Sequence, residues 1–79
     1  MSMDRIRAIV AQTVKLSKDI SDISDNDDLY SLGLTSLTTV NLMLSIEDEF
    51  DIEFDDNMLS RQTFESITSL AEAIDELQD

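Results

Sequence analysis

Seventy-nine residues carry eighteen acidic side chains against five basic ones, a net charge of −13, and contain neither cysteine nor histidine. A chain of this length makes one domain, residues 1–79, burying only about 60% of its unfolded surface and leaving little room for a deep catalytic cleft. Disulfides, thiolate metal sites and cysteine nucleophiles are excluded, and the commonest general base is missing.

The charge disfavours nucleic acid and anionic membranes as partners and favours a protein with a basic patch, met by electrostatic steering. The acidity also serves solubility. No apolar run approaches the ~20 residues that span a bilayer. Met1 to Arg7 is polar and unlike a signal peptide, so a cytoplasmic monomer is expected.

In chain order, Ile6, Ile9, Val10, Thr13 and Val14 recur at helical spacing, which predicts an amphipathic helix from about Met3 to Leu16. Asp4 suits its first turn, and Lys15 and Lys18 suit the negative end of its dipole. From Ser17 to Thr35 the periodicity is lost. Ile20, Ile23, Leu29, Leu32 and Leu34 are nonetheless spread through this long connection, so it should pack across the domain rather than hang in solvent.

A second helix is predicted over Ser36 to Phe50, carrying Leu37, Val40, Met43, Leu44 and Ile46. Glu47, Asp48 and Glu49 lie at its unfavourable end, an arrangement that points to a partner rather than to the fold. Asp51 to Asp56 reads as an acidic turn holding Ile52 and Phe54. Asp55 and Asp56 can then cap a short third helix with Met58 and Leu59. The last helix starts somewhere in Ser66 to Ser69, where Ser69 and Glu72 have capping-box spacing. It runs to about Leu77 on a stripe of Leu70, Ala73, Ile74 and Leu77. Strand patterning and repeats are absent. The expected fold is all-α: a small four-helix bundle, three longer helices and one short, with a long first loop.

The acids come in runs such as Asp25, Asp27, Asp28 and Glu47, Asp48, Glu49, which read as solvated faces rather than a catalytic pair. No catalytic residue is assigned. A calcium loop starting at Asp25 fails: Leu29 takes a ligand position, Tyr30 the glycine position and Ser36 the place of the bidentate Glu. No metal site is assigned, although weak divalent binding to the acidic clusters remains open.

The stretch Asp28-Leu29-Tyr30-Ser31-Leu32-Gly33-Leu34-Thr35-Ser36-Leu37 stands apart. Gly33 can adopt a conformation other residues resist and turn the loop into the helix. Thr35 or Ser36 then falls at the helix start. Ser36 is either an ordinary N-cap or an exposed modification site whose phosphodiester would lie by the positive end of the helix dipole. Spacing alone leaves both open.

Over nearly its whole length the sequence resembles the acyl carrier protein family. Leu32-Gly33-Leu34-Thr35-Ser36-Leu37 is similar to that family's L-G-x-D-S-L motif apart from Thr35. Thr39-Val40, Leu42 and Ile46-Glu47-Asp48-Glu49-Phe50 resemble its second helix. The resemblance implies a carrier that is not itself an enzyme. A phosphopantetheinyl transferase would attach a 4′-phosphopantetheine arm from coenzyme A at Ser36. An acyl- or aminoacyl-loading enzyme would charge its thiol, and downstream transferases with basic patches would accept the cargo. A flexible arm raises the effective concentration of cargo at each partner. Leu42, Ile46 and Phe50 would shelter a long acyl chain, although plain core packing is their commoner role.

Three positions depart from the fatty-acid carrier pattern: Thr35 replaces the acid before the serine, and Thr38 and Asn41 are neutral on the exposed face of the second helix. With Leu37, Leu44, Glu47 and Asp48 they make up the expected partner surface, its negative charge shifted toward Glu47, Asp48, Asp51 and Glu53. Peptidyl and aminoacyl carriers often have a neutral residue before the serine, and Asp51-Ile52 with Ser60-Arg61 resembles D-alanyl carriers. The cargo is therefore a fatty acyl group, a specialised acyl group or an amino acid. The alternative from another class is an unmodified acidic helical interaction module.

Overall fold

In the computed structural model residues 3–78 are described; Met1, Ser2 and Asp79 lie outside the described residues. The elements are α1 (Met3–Thr13), α2 (Ser36–Phe50), α3 (Arg61–Phe64) and α4 (Ile67–Gln78), with single 3-10 turns at Ile20–Asp22 and Asp56–Met58. The expected all-α bundle of three longer helices and one short one, with a long first loop, is what forms. Helix α1 packs against both α2 and α4, and α3 lies against α4.

One face of α1 buries Ile6, Ile9 and Val10. The helix ends at Thr13 rather than near Leu16, and its Thr13 hydroxyl donates back to the Ile9 carbonyl at 2.8 Å. The chain leaves early because the segment after it must run beside the end of the long loop, where the Ser17 N–H donates to the Leu32 carbonyl at 2.8 Å. Lys15 and Lys18 consequently sit beyond the helix, and no basic residue occupies its last turn.

The long loop is packed as its aliphatics require, with Ile23, Leu29, Leu32 and Leu34 all buried. Arg7 ties it to α1, donating to the Ile20 carbonyl, to the Ile23 carbonyl at 2.7 Å and to Asp25 at 2.8 Å. Two further main-chain bonds fasten it to the far end of the chain. The Leu29 N–H donates to the Glu65 carbonyl at 2.7 Å and the Thr68 N–H to the Asp25 carbonyl at 3.0 Å. Exposed turns in the loop stiffen themselves. Asp27 accepts first from the Ser24 N–H and then from its hydroxyl, which holds its carboxyl below the ordinary carboxylate value.

Helix α2 buries Leu42, Ile46 and Phe50. Leu37, Val40 and Leu44 are exposed on another face of the helix. The helix stops at Asp51, whose left-handed backbone (φ 54°, ψ 51°) lets its N–H bond the Glu47 carbonyl. The short third helix lies later than its acids suggested. Asp55 precedes only the 3-10 turn and makes no side-chain cap, so Met58 and Leu59 fall before α3, which starts at Arg61. Packing of Phe64 decides this: its ring meets Phe54 with centroids 5.4 Å apart and is buried, whereas Met58 is only partly buried against the core. Helix α4 starts at Ile67. Its cap is Ser66, whose hydroxyl oxygen accepts from the Ser69 N–H at 3.1 Å, so the Ser69–Glu72 spacing is not the one used.

Among the described residues ion pairs are sparse beside the net charge of −13: Arg5 with Glu49, Arg7 with Asp25, and Arg61 with Asp28. Exposed pairs stabilise little, whereas repulsion among the acids acts over the whole surface. Added salt or magnesium is therefore expected to raise the thermal midpoint followed by circular dichroism. A midpoint flat or falling with ionic strength would reverse this balance.

Candidate functional site

The site is built where the long loop enters α2. The Leu32 and Leu34 N–H groups both donate to the Leu29 carbonyl at 3.0 Å, coiling the chain tightly just before the helix. Gly33 sits in this coil at φ 128°, and a Cβ there would lie 2.5 Å from the Lys15 carbonyl oxygen. Glycine is required twice over, by conformation and by space. Leu34 is buried and anchors the turn.

Thr35 is the N-cap. Its hydroxyl accepts from the Thr38 N–H at 3.2 Å, while the Thr38 hydroxyl accepts from the Thr35 N–H at 2.8 Å. This reciprocal box satisfies the helix start by itself. Ser36 is the first helical residue; it is exposed and its hydroxyl takes no part in the box. Of the two roles open to Ser36 from sequence, capping has thus gone to its neighbour.

Beside Ser36 lies a groove of about 320 Å³ between α2 and the α3 region, lined by Tyr30, Val40, Met43, Leu59, Phe64 and Arg61 among others. Its walls are chiefly apolar. The Arg61 guanidinium stacks 4.2 Å above the Tyr30 ring centre. Val40 and Leu59 remain about half exposed there.

The expected partner residues divide into two groups. Thr35, Leu37, Thr38, Asn41 and Leu44 belong to the first two turns and the middle of α2, and all but the half-buried Thr38 are exposed; Leu37 is 74% accessible. Of the acids at its far end, Asp48 is exposed. Glu47 is half-buried and accepts the Phe54 N–H at 2.9 Å, and Glu49 pairs with Arg5, whose guanidinium also lies over Phe50. Two of the three acids attributed to a partner therefore also have partners within the fold. Sequence reasoning passed over Tyr30 and Val40, Leu59 and Arg61 as parts of one groove. The available signal was a second apolar face on α2: Leu37, Val40 and Leu44 are spaced for one face, and Leu42, Ile46 and Phe50 for another.

Residues 4–74 match the family described as phosphopantetheine attachment site. The chain belongs to that family. It is a carrier protein that works through a covalently attached 4′-phosphopantetheine. The carrier is similar to the aminoacyl carrier protein of Agrobacterium fabrum (strain C58), with 45% identity over 87% of this chain and 83% of that one. Its fold resembles the Agrobacterium tumefaciens carrier protein in a complex with ATP and an engineered Bradyrhizobium japonicum glycine:[carrier protein] ligase. There the TM-score is 0.88 at 42% identity, covering 95% of this chain and 99% of the other. The holo acyl carrier protein of Nitrosomonas europaea is also similar, with a TM-score of 0.81 at 28% identity, covering 94% of this chain and 92% of that one. Among the described residues no helix of this carrier is long and apolar enough to cross a membrane.

Proposed function

We propose that Ser36 Oγ carries the arm and that the cargo is an amino acid. The observation that carries the attachment reading is the division of labour at the start of α2: Thr35 caps the helix, and the adjacent Ser36 presents its exposed hydroxyl to an apolar groove. These residues fit the group. A phosphodiester on Ser36 would stand at the positive end of the α2 dipole, and the apolar groove walls suit the hydrocarbon part of an arm. When attached, the arm supplies the thiol that this cysteine-free chain lacks, and so the thioester chemistry. The chain itself catalyses nothing in this reading. Ser36 accepts the arm from a phosphopantetheinyl transferase, and α2 offers the surface that an amino-acid-activating ligase reads.

The likeness to an aminoacyl carrier and to a carrier held by a glycine-activating ligase supports the amino-acid cargo. The interior supports it too. Leu42 and Ile46 are fully buried and make the packed side of α2, so a long acyl chain would have to displace core side chains. The neutral Thr35, Thr38 and Asn41 remove three potential salt bridges, each worth about 0.2–1 kcal/mol when exposed. Together these lower affinity for a fatty-acid elongation enzyme by roughly tenfold.

The test is loading. The holo-protein should accept an amino acid from such a ligase and be a poor substrate for fatty-acid elongation enzymes. The triple variant Thr35→Asp, Thr38→Asp, Asn41→Glu should improve elongation, because an Asp at Thr35 still caps the helix while adding charge. Equal elongation rates for wild type and triple variant, at two salt concentrations, would remove the support for a specialised cargo. A chain that gains no arm at all would instead be the unmodified interaction module.

A further inference from the structure

We infer that Arg61 is a positioning residue for the arm, leaving Asp28 to pair with the phosphodiester on Ser36. The inference rests on the Ser36 reading above. The phosphodiester brings a further negative charge to a chain that already stands at −13, with five basic residues to receive it. Arg5 pairs with Glu49, and Arg7 is held by Asp25 and two loop carbonyls. Lys15 and Lys18 line a different depression, beside the end of α1. Arg61 alone among the five lines the groove that contains Ser36.

Its present attachment is easily exchanged. The Arg61–Asp28 separation is 3.7 Å, beyond hydrogen-bond length, and both side chains are well exposed, at 66% and 45%. Asp28 does not depend on it: one carboxylate oxygen accepts the Tyr30 N–H at 3.0 Å and the other the Ser31 hydroxyl at 3.0 Å. Arg61 can therefore leave without stranding a bare carboxylate. The Tyr30 ring lies 4.2 Å from the guanidinium carbon and holds it at the groove wall, where a planar guanidinium can make the forked contact that phosphate oxygens accept. The exchange would bias the arm to lie along Val40, Met43 and Leu59 until a partner draws it out.

The chain reports on this directly, because Tyr30 is its single tyrosine and there is no tryptophan. The experiment compares apo and holo protein by NMR, reading the Tyr30 ring, the Arg61 side-chain N–H and the single phosphorus-31 signal of the arm. Attachment should shift the Tyr30 and Arg61 signals. The phosphorus signal of Arg61→Gln should move away from wild type, and that of Asp28→Asn the opposite way, since that variant removes the competitor. About 1 M salt should bring wild type to the Arg61→Gln position by screening the pair. A phosphorus signal identical in wild type and Arg61→Gln, with Tyr30 unmoved on attachment, would overturn the inference while leaving attachment intact. If Arg61→Gln does not fold, Arg61→Lys keeps the charge without the fork and should lie between wild type and high salt; the wild-type apo–holo comparison needs no variant. Intact mass separates the two failures. An arm that is never gained, or is still gained by Ser36→Ala, overturns the Ser36 reading and this inference with it.

Discussion

Ser36→Ala is expected to abolish arm attachment completely while leaving the helical fold intact. Incubated with coenzyme A, magnesium and a transferase, wild type should gain the mass of one phosphopantetheine and the variant none. Neighbouring hydroxyls cannot substitute, because each is engaged. Thr35 and Thr38 bond each other through the capping box, and the Thr39 hydroxyl donates to the Thr35 carbonyl at 2.6 Å. The fold should survive because Ser36 is exposed, is not the cap, and alanine is the better helix former. Thr35→Ala gives the converse. Loss of the cap should cost about 1 kcal/mol of stability, yet the arm should still be attached. Were Ser36→Ala to lose stability as a cap variant does, or still gain the arm, the roles of the two residues would have to be reversed.

Much of this arrangement is legible in the sequence, for different physical reasons in different places. Helical periodicity with no strand pattern leads to the bundle, and α2 begins and ends at the residues its pattern predicts. The buried aliphatics of the long loop are predictable because a solvated linker has no use for them. Local rules fail where a tertiary contact outranks them. Lys15 looks like a favourable C-terminal charge for α1, but the chain there runs against Gly33 and bonds the long loop through the Ser17 N–H and Leu32 carbonyl, so the helix ends first. Asp55 and Asp56 look like caps, but Phe64 must reach Phe54, and the helical turn forms around it. Glu47 and Glu49 look like surplus charge, yet each is engaged by a group outside α2, the Phe54 N–H in the turn that follows and Arg5 on α1. The choice between Thr35 and Ser36 as cap was beyond spacing altogether, because both are hydroxyl residues at a helix start. The geometry of the reciprocal box distinguishes them.

Gly33→Ala is expected to produce the largest stability loss among single changes outside the core, and to impair attachment through the fold rather than the chemistry. At φ 128° an L side chain is strained, which costs on the order of 1–3 kcal/mol. The new Cβ would also meet the Lys15 carbonyl oxygen at 2.5 Å and the Lys15 carbonyl carbon at 3.5 Å. Both are backbone atoms, so relief requires moving the segment after α1, which the Ser17–Leu32 hydrogen bond holds in place. Overpacking of this kind adds about 1–3 kcal/mol. A small domain has only about 5 kcal/mol in hand, so the sum approaches its whole stability. For a domain of this size the thermal midpoint should fall by about 10 °C or more, measured by circular dichroism at fixed salt. Attachment at Ser36 should slow in proportion to the unfolded fraction and recover when salt or magnesium restores the fold, whereas Ser36→Ala should not recover under any such condition. A Gly33→Ala midpoint within a few degrees of wild type would mean that the loop can shift to accept the methyl group. The close approach of Lys15 and Gly33 would then not be what sets the entry into α2.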